Sequence, residues 1–221
     1  MAWIALLHLL CLVYWLGADI GTFYAARFVA NPALSPPARA TAAKIMHGID
    51  LLPRVAMPLT LATGVQLAST TGLLQLGAAA LLGVWLVCAG WLTAAAWIHL
   101  APRTPALERA VRIDFGFRIA AIALLAAVAL LGLAGVWAAP SPWLAWKILA
   151  FAATVACGLA IRVALKPFGP AFGRLMTQGS SPEVEALLAG SIARAVPWVL
   201  TIWALLLFAA ALGVRAVNIG A

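Results

Sequence analysis

Long apolar runs dominate the chain, and their lengths set the first expectation. A helix needs about 20 apolar residues to cross the hydrocarbon core of a bilayer. Six runs are long enough: 3–23, 51–71, 76–100, 117–137, 143–165 and 196–214. The second extends back to about Lys44 if its first turns are interfacial. Proline and glycine clusters supply the breaks. Asn31-Pro32 and Ser35-Pro36-Pro37 close the first run. Pro102, Pro105 and the charges from Glu108 to Arg118 separate the third from the fourth. Pro140 and Pro142 make a tight link, and Pro167, Gly169, Pro170 and Gly173 open the last long connection. Residues 103–118 and 167–185 therefore read as loops. The pattern predicts an all-α fold, a polytopic transmembrane helical bundle of six spans. The spans use up most of the chain, so residues 1–221 form a single integral membrane domain with no room for a soluble one.

Composition agrees and excludes a water-soluble enzyme. Hydrophobic residues make up 66% of the chain and charged residues only 9%, where a soluble globular chain carries about 25%. The three cysteines, Cys11, Cys88 and Cys157, lie within apolar runs and form no CxxC or zinc-type spacing. They read as small buried hydrophobes.

Charge changes the picture by giving it a direction. A net charge of +8 would suggest nucleic acid in a soluble protein, but basic residues of membrane proteins collect on the cytoplasmic side. Arg27, Arg39, Lys44, Arg54, Arg103, Arg109, Arg112, Arg118, Arg162, Lys166, Arg174 and Arg194 lie in or beside the loops after spans one, three and five. Only Lys147 and Arg215 lie on the other side. The odd-numbered loops are expected in the cytoplasm, with an N-out and C-out orientation. This describes a multi-pass protein of the bacterial inner (plasma) membrane with both termini periplasmic. Trp3, Trp137, Trp143 and Trp146 fall at the outer interface, as an aromatic belt would. No basic segment precedes the first run, so it is expected to be a retained helix rather than a cleaved signal. The lipid bilayer is the expected partner, the loop of residues 103–118 meets anionic headgroups, and no nucleic-acid reading follows.

Polar residues within spans are costly and usually face the bundle interior. His8, Cys11, Trp15, Asp19 and Thr22 follow one another at intervals of three or four, which aligns them on one stripe of the first helix. Core residues paired within the bundle, and a cofactor ligand or proton-carrying group, are both open readings of that stripe. His47, Asp50 and Arg54 share a face of the second helix, where Asp50 and Arg54 can pair. Pro53 is expected near the first turns, where a missing N–H is tolerated. The third helix ends in Trp97-Ile98-His99. His47 and His99 then lie in one layer and form a candidate bis-imidazole pair. The alternative is interfacial histidines bound to water, lipid or a loop carbonyl. His8 lies roughly 22 Å away along the helix axis and cannot share a metal centre with His47 in unbroken helices.

Ile49-Asp50-Leu51-Leu52-Pro53-Arg54 recurs as Ile113-Asp114-Phe115-Gly116-Phe117-Arg118. Each copy opens a span running in the same direction and is followed by a second span with a basic end. An internal helix-pair repeat and a chance match between parallel helix pairs are both open. A true duplication would make Asp50–Arg54 and Asp114–Arg118 equivalent clasps.

Ala5-Leu6-Leu7-His8, Trp15-Leu16-Gly17 and Tyr24-Ala25-Ala26-Arg27-Phe28-Val29 resemble the first helix of two related families. These are the membrane protoporphyrinogen IX oxidases and the copper-resistance D-type membrane proteins. Pro142-Trp143-Leu144-Ala145-Trp146-Lys147 resembles a later helix opening of the oxidases, and Met57-Pro58 with Gly64 resembles their second helix. The resemblance touches about a third of the chain. It implies that His8 serves a b-type haem with Lys147 in the same outer layer. The oxidases carry further histidines where this chain has Ala30 and Asn31, and again where it has Cys157 and Gly158. It therefore implies membership of the wider superfamily rather than the oxidase activity.

The expected function is a membrane protein that binds haem b through transmembrane histidines and serves a redox role. His8, His47, His99 and Lys147 are the candidate cofactor-binding residues, and the three histidines are the candidate metal ligands. The alternatives are copper or small-solute transport, for which Met57, Cys11, Cys88 and Cys157 offer soft ligands, and a non-catalytic subunit of a membrane complex. A membrane redox partner or complex subunits are the expected protein partners. No nucleophile–base set is present, so no catalytic residue is assigned.

Overall fold

A computed structural model describes residues 2–102, 104–136 and 142–214. The expectations attached to Arg103, Trp137, Pro140 and Arg215 fall outside these residues. The described chain forms seven helices: α1 (Ala2–Val29), α2 (Pro36–Thr70), α3 (Ala78–Leu100), α4 (Pro105–Leu133), α5 (Pro142–Ala164), α6 (Phe168–Gln178) and α7 (Pro182–Gly213). Six helical stretches are long and apolar enough to cross a membrane. The protein is an all-α membrane bundle.

The helices begin earlier than the apolar runs do. Helices α2, α4 and α7 start at Pro36, Pro105 and Pro182, many residues before the hydropathy rises. Residues 105–118 are thus the opening turns of α4 and not a loop. Pro36, Pro105 and Pro142 act as helix starters, because the first turn needs no N–H and the fixed φ of proline suits it. The Thr104 side chain accepts a hydrogen bond from the Leu107 N–H, and Ser181 accepts from Val184. Glu108, Glu183 and Glu185 sit in first turns, where the helix dipole favours them. Pro53 lies well inside α2 and is buried, not near its start.

The connection expected over residues 167–185 contains α6. Its Ala171 and Leu175 pack on Val184 and Leu188 of α7, with Phe168 and Phe172 alongside. These four residues of α6 repeat at helical spacing, which gives the short helix one apolar face to bury.

Packing closes a ring in the order α1, α2, α3, α4, α5, α7 and back to α1. The α1–α7 and α3–α4 seams are much thinner than the rest, so α1–α3 and α4–α7 face each other as two halves. Cys11, Trp15, Met57, Trp91, Val155, Cys157 and Ile202 belong to one buried core inside the ring. All three cysteines are buried and free.

One end of the ring is basic. There Arg39, 1% exposed, ties three helices together. Its Nε donates to the Val29 carbonyl at the end of α1 (2.7 Å), and its Nη1 and Nη2 donate to the two carboxylate oxygens of Glu185 at the start of α7 (2.7 and 2.9 Å). Ser180 donates to the same carboxylate. Arg39→Ala is expected to destabilise the detergent-solubilised protein by about 3 kcal/mol, because it strands a carboxylate and a carbonyl. Arg174→Ala breaks the exposed pair with Glu183 and is expected to cost less than about 1 kcal/mol. Thermal unfolding of both variants checks the contrast.

Candidate functional site

The stripe of α1 faces into the ring along its length, but its two ends meet different surroundings. At the end away from the basic loops, His8 Nδ1 lies 2.8 Å from Thr63 Oγ1. The Thr63 hydroxyl donates to the Leu59 carbonyl at 2.6 Å, so its lone pair receives the His8 Nδ1–H. That bond occupies Nδ1 and leaves Nε2 without a hydrogen-bond partner among the described residues. Gly64 makes room for the ring: a Cβ there would sit 3.2 Å from His8 Cε1. Lys147 Nζ would lie 2.6 Å from a Cβ at Gly213.

One helical turn beyond Trp15, Asp19 accepts a hydrogen bond from the Trp203 indole N–H at 2.8 Å. Trp15, Asp19 and Thr22 line a cavity of about 560 Å³ that opens between the two halves toward the basic end. His47, Asp50 and Arg54 form part of its α2 wall, and Phe115, Arg118 and Arg162 part of the wall from α4 and α5. Apolar side chains such as Phe23, Val199 and Ile202 make up much of the remainder.

His47 and His99 do come together, in a particular way. Their rings stack nearly parallel, with centroids 4.0 Å apart and planes inclined by 11°. His99 Nε2 donates to the His47 backbone carbonyl at 2.9 Å, and its Nδ1 lies 3.9 Å from Asp50 Oδ2. Two rings face to face at this distance leave no space for a macrocycle between them. His47 lines the cavity; His8 and His99 do not. Thr63 follows His47 by sixteen residues on α2, a rise of roughly 24 Å, so the His8 site and the His47 site are separate. Among the described residues, no three His, Cys, Asp or Glu side chains group closely enough to hold a metal ion.

Both acid–base pairs of the short internal match form. Arg54 Nε donates to Asp50 at 2.8 Å, and Arg118 Nε donates to Asp114 at 2.9 Å. Their settings differ. The Asp50 and Arg54 side chains are each 29% exposed, whereas Asp114 and Arg118 are buried. Arg162 of α5 also donates to Asp114 Oδ2, at 2.7 Å. The remaining faces of Arg118 meet the Met57 sulfur, 3.3 Å from Nη1, and the Trp91 ring, 5.2 Å from its guanidinium carbon.

The sequence reading missed Trp203 and assigned Arg162 only to the basic side. Thr154, Gly158 and Arg162, each four residues apart on α5, carry the periodic signal that was available for the second. Trp203 stands among apolar residues with no such signal. Comparison with family models, with curated proteins and with solved structures finds no match.

The unequal burial separates two substitutions that look alike in sequence. Asp114→Ala is expected to cost 3–5 kcal/mol, roughly, since it leaves two guanidinium groups facing each other inside the bundle. Asp50→Ala is expected to cost about 1 kcal/mol or less. Denaturation of the two variants in the same detergent measures the difference.

Proposed function

We propose that this chain is a bacterial inner-membrane protein that holds haem b in the cavity at its basic end and serves a redox role there. Its basic end faces the cytoplasm and both termini face the periplasm. The observation that carries the haem reading is the cavity itself, with His47 as the one histidine of the three on its wall. Its volume lies in the range of small-molecule and cofactor sites, roughly 300–1,000 Å³. His47 is exposed, and neither nitrogen of its ring has a hydrogen-bond partner among the described residues, so one is free to ligate. His99 stacks on His47 and would hold that ring in place. Arg162, which spends only Nη1 on Asp114, suits a carboxylate arm. Haem, when bound, supplies one-electron chemistry.

The similarity to the protoporphyrinogen oxidase and copper-resistance D-type superfamily points to His8 with Lys147 as the competing haem site, and the Nε2 of His8, without a hydrogen-bond partner among the described residues, supports it. The cavity favours His47. The copper alternative has less support, because the Met57 sulfur is engaged by Arg118. A transport role has only the two thin seams in its favour.

Protein purified after expression with ample haem is expected to show a Soret band that shifts on reduction. His47→Ala should abolish it, and His8→Ala should leave it intact. No band in the wild type sinks the haem reading, and loss only in His8→Ala moves the haem to the other site. For orientation, an alkaline phosphatase reporter fused after residue 214 is expected to be active, and one fused after residue 180 inactive. The opposite pattern inverts the topology.

A further inference from the structure

Inside the cavity wall, two guanidinium groups share one carboxylate oxygen. Arg118 and Arg162 both donate to Asp114 Oδ2. Arg118 is 3% exposed, yet it has no second oxygen. Its Nη1 meets only the Met57 sulfur, a weak acceptor, and its Nη2 is buried with no partner among the described residues, as is the second oxygen of Asp114, Oδ1. An arginine placed only to hold helices together would be expected to have its donors matched, since a buried unpaired donor is costly and an unmatched charge more so. Ionisable groups inside a membrane bundle that lack partners commonly mark a ligand path.

The surrounding charges sharpen this. Asp50 is matched by Arg54. Asp114 matches one of its two arginines, which leaves the other uncompensated. Asp19, across the cavity on α1, forms no ion pair among the described residues and is held by the Trp203 indole. With Lys166 at the rim, the ionised side chains of the wall and Asp114 sum to one net positive charge. A single carboxylate cancels it. Much of the rest of the wall is apolar and aromatic, with Trp15, Phe23, Val111, Phe115, Val199 and Ile202 among its residues.

We propose that the Arg118–Asp114–Arg162 cluster is a receptor for one carboxylate group, and that the cavity takes an apolar organic monocarboxylate. Arg162, half-buried and using only Nη1 on Asp114, turns its other nitrogens to the ligand. Arg118 closes the site from behind. Haem and this ligand would share the cavity, so the assignment concerns the haem-free protein.

The test uses full-length protein in nanodiscs of phosphatidylcholine, with 2-naphthoate as probe and equilibrium dialysis as readout. Saturable binding of naphthoate is expected, with 2-naphthylmethanol weaker by about tenfold or more, the value of a charge-assisted hydrogen bond. Arg162→Gln removes the surplus charge while leaving Asp114 paired with Arg118, and should weaken naphthoate binding by a similar factor. Arg174→Gln, at an exposed pair away from the cavity, should not. Thermal unfolding confirms that both variants are folded. Equal affinity for the alcohol, absence of saturable naphthoate binding, or unchanged affinity in Arg162→Gln each overturns the proposal. Displacement of naphthoate by phosphatidylglycerol in the disc also overturns it, by making the anion a lipid headgroup. Naphthoate binding without a Soret band leaves this proposal standing and removes the haem reading. A His47-dependent Soret band, with no naphthoate binding to the haem-free protein, does the reverse.

Discussion

Ionised side chains taken out of water must find partners, and the Asp114 carboxylate is where that requirement acts most strongly in this bundle. It lies on α4 and receives Arg118 from its own helix and Arg162 from α5. Arg118 in turn reaches Met57 on α2 and covers Trp91 on α3. Four of the six ring helices thus converge on one anion.

The ring is held differently elsewhere. At the basic end, Arg39 joins the end of α1 to the start of α7 through a carbonyl and a carboxylate. Deeper, the Asp19–Trp203 hydrogen bond crosses the same thin seam. Polar links therefore bridge the α1–α7 junction where side-chain packing is sparse. A bundle closed this way can leave space in its centre without losing its closure, and the cavity occupies that space.

The two Asp–Arg pairs of the internal match illustrate how context alters a shared motif. Both make the same hydrogen bond across one helical turn. Only the second acquires a third member and full burial. The first is left half-exposed beside the stacked His47 and His99, at the mouth of the cavity. Whatever their origin, the two copies now differ: one is a buried junction, and the other belongs to the rim.

Much of the architecture was legible in the sequence. Apolar runs of membrane length dictate helices, because backbone polar groups in lipid must be satisfied internally. Six such runs therefore meant six spans, and the i, i+4 spacing of Asp50–Arg54 and Asp114–Arg118 was enough to place those bonds. The layer shared by His47 and His99 followed from counting residues along helices. Long apolar runs gave no sign of the proline-led, charged first turns of α2, α4 and α7, nor of α6. Prolines, the caps of α4 and α7, and the local spacing of a few apolar side chains build those segments. Only the tertiary structure decided that the two histidines stack instead of opening toward a common ligand. Only it decided that Arg162 joins Asp114, that Trp203 reaches Asp19, and that one guanidinium nitrogen is left unpartnered beside a cavity. Those facts depend on which helices are neighbours and at what rotation, and spacing along a single helix carries no information about either.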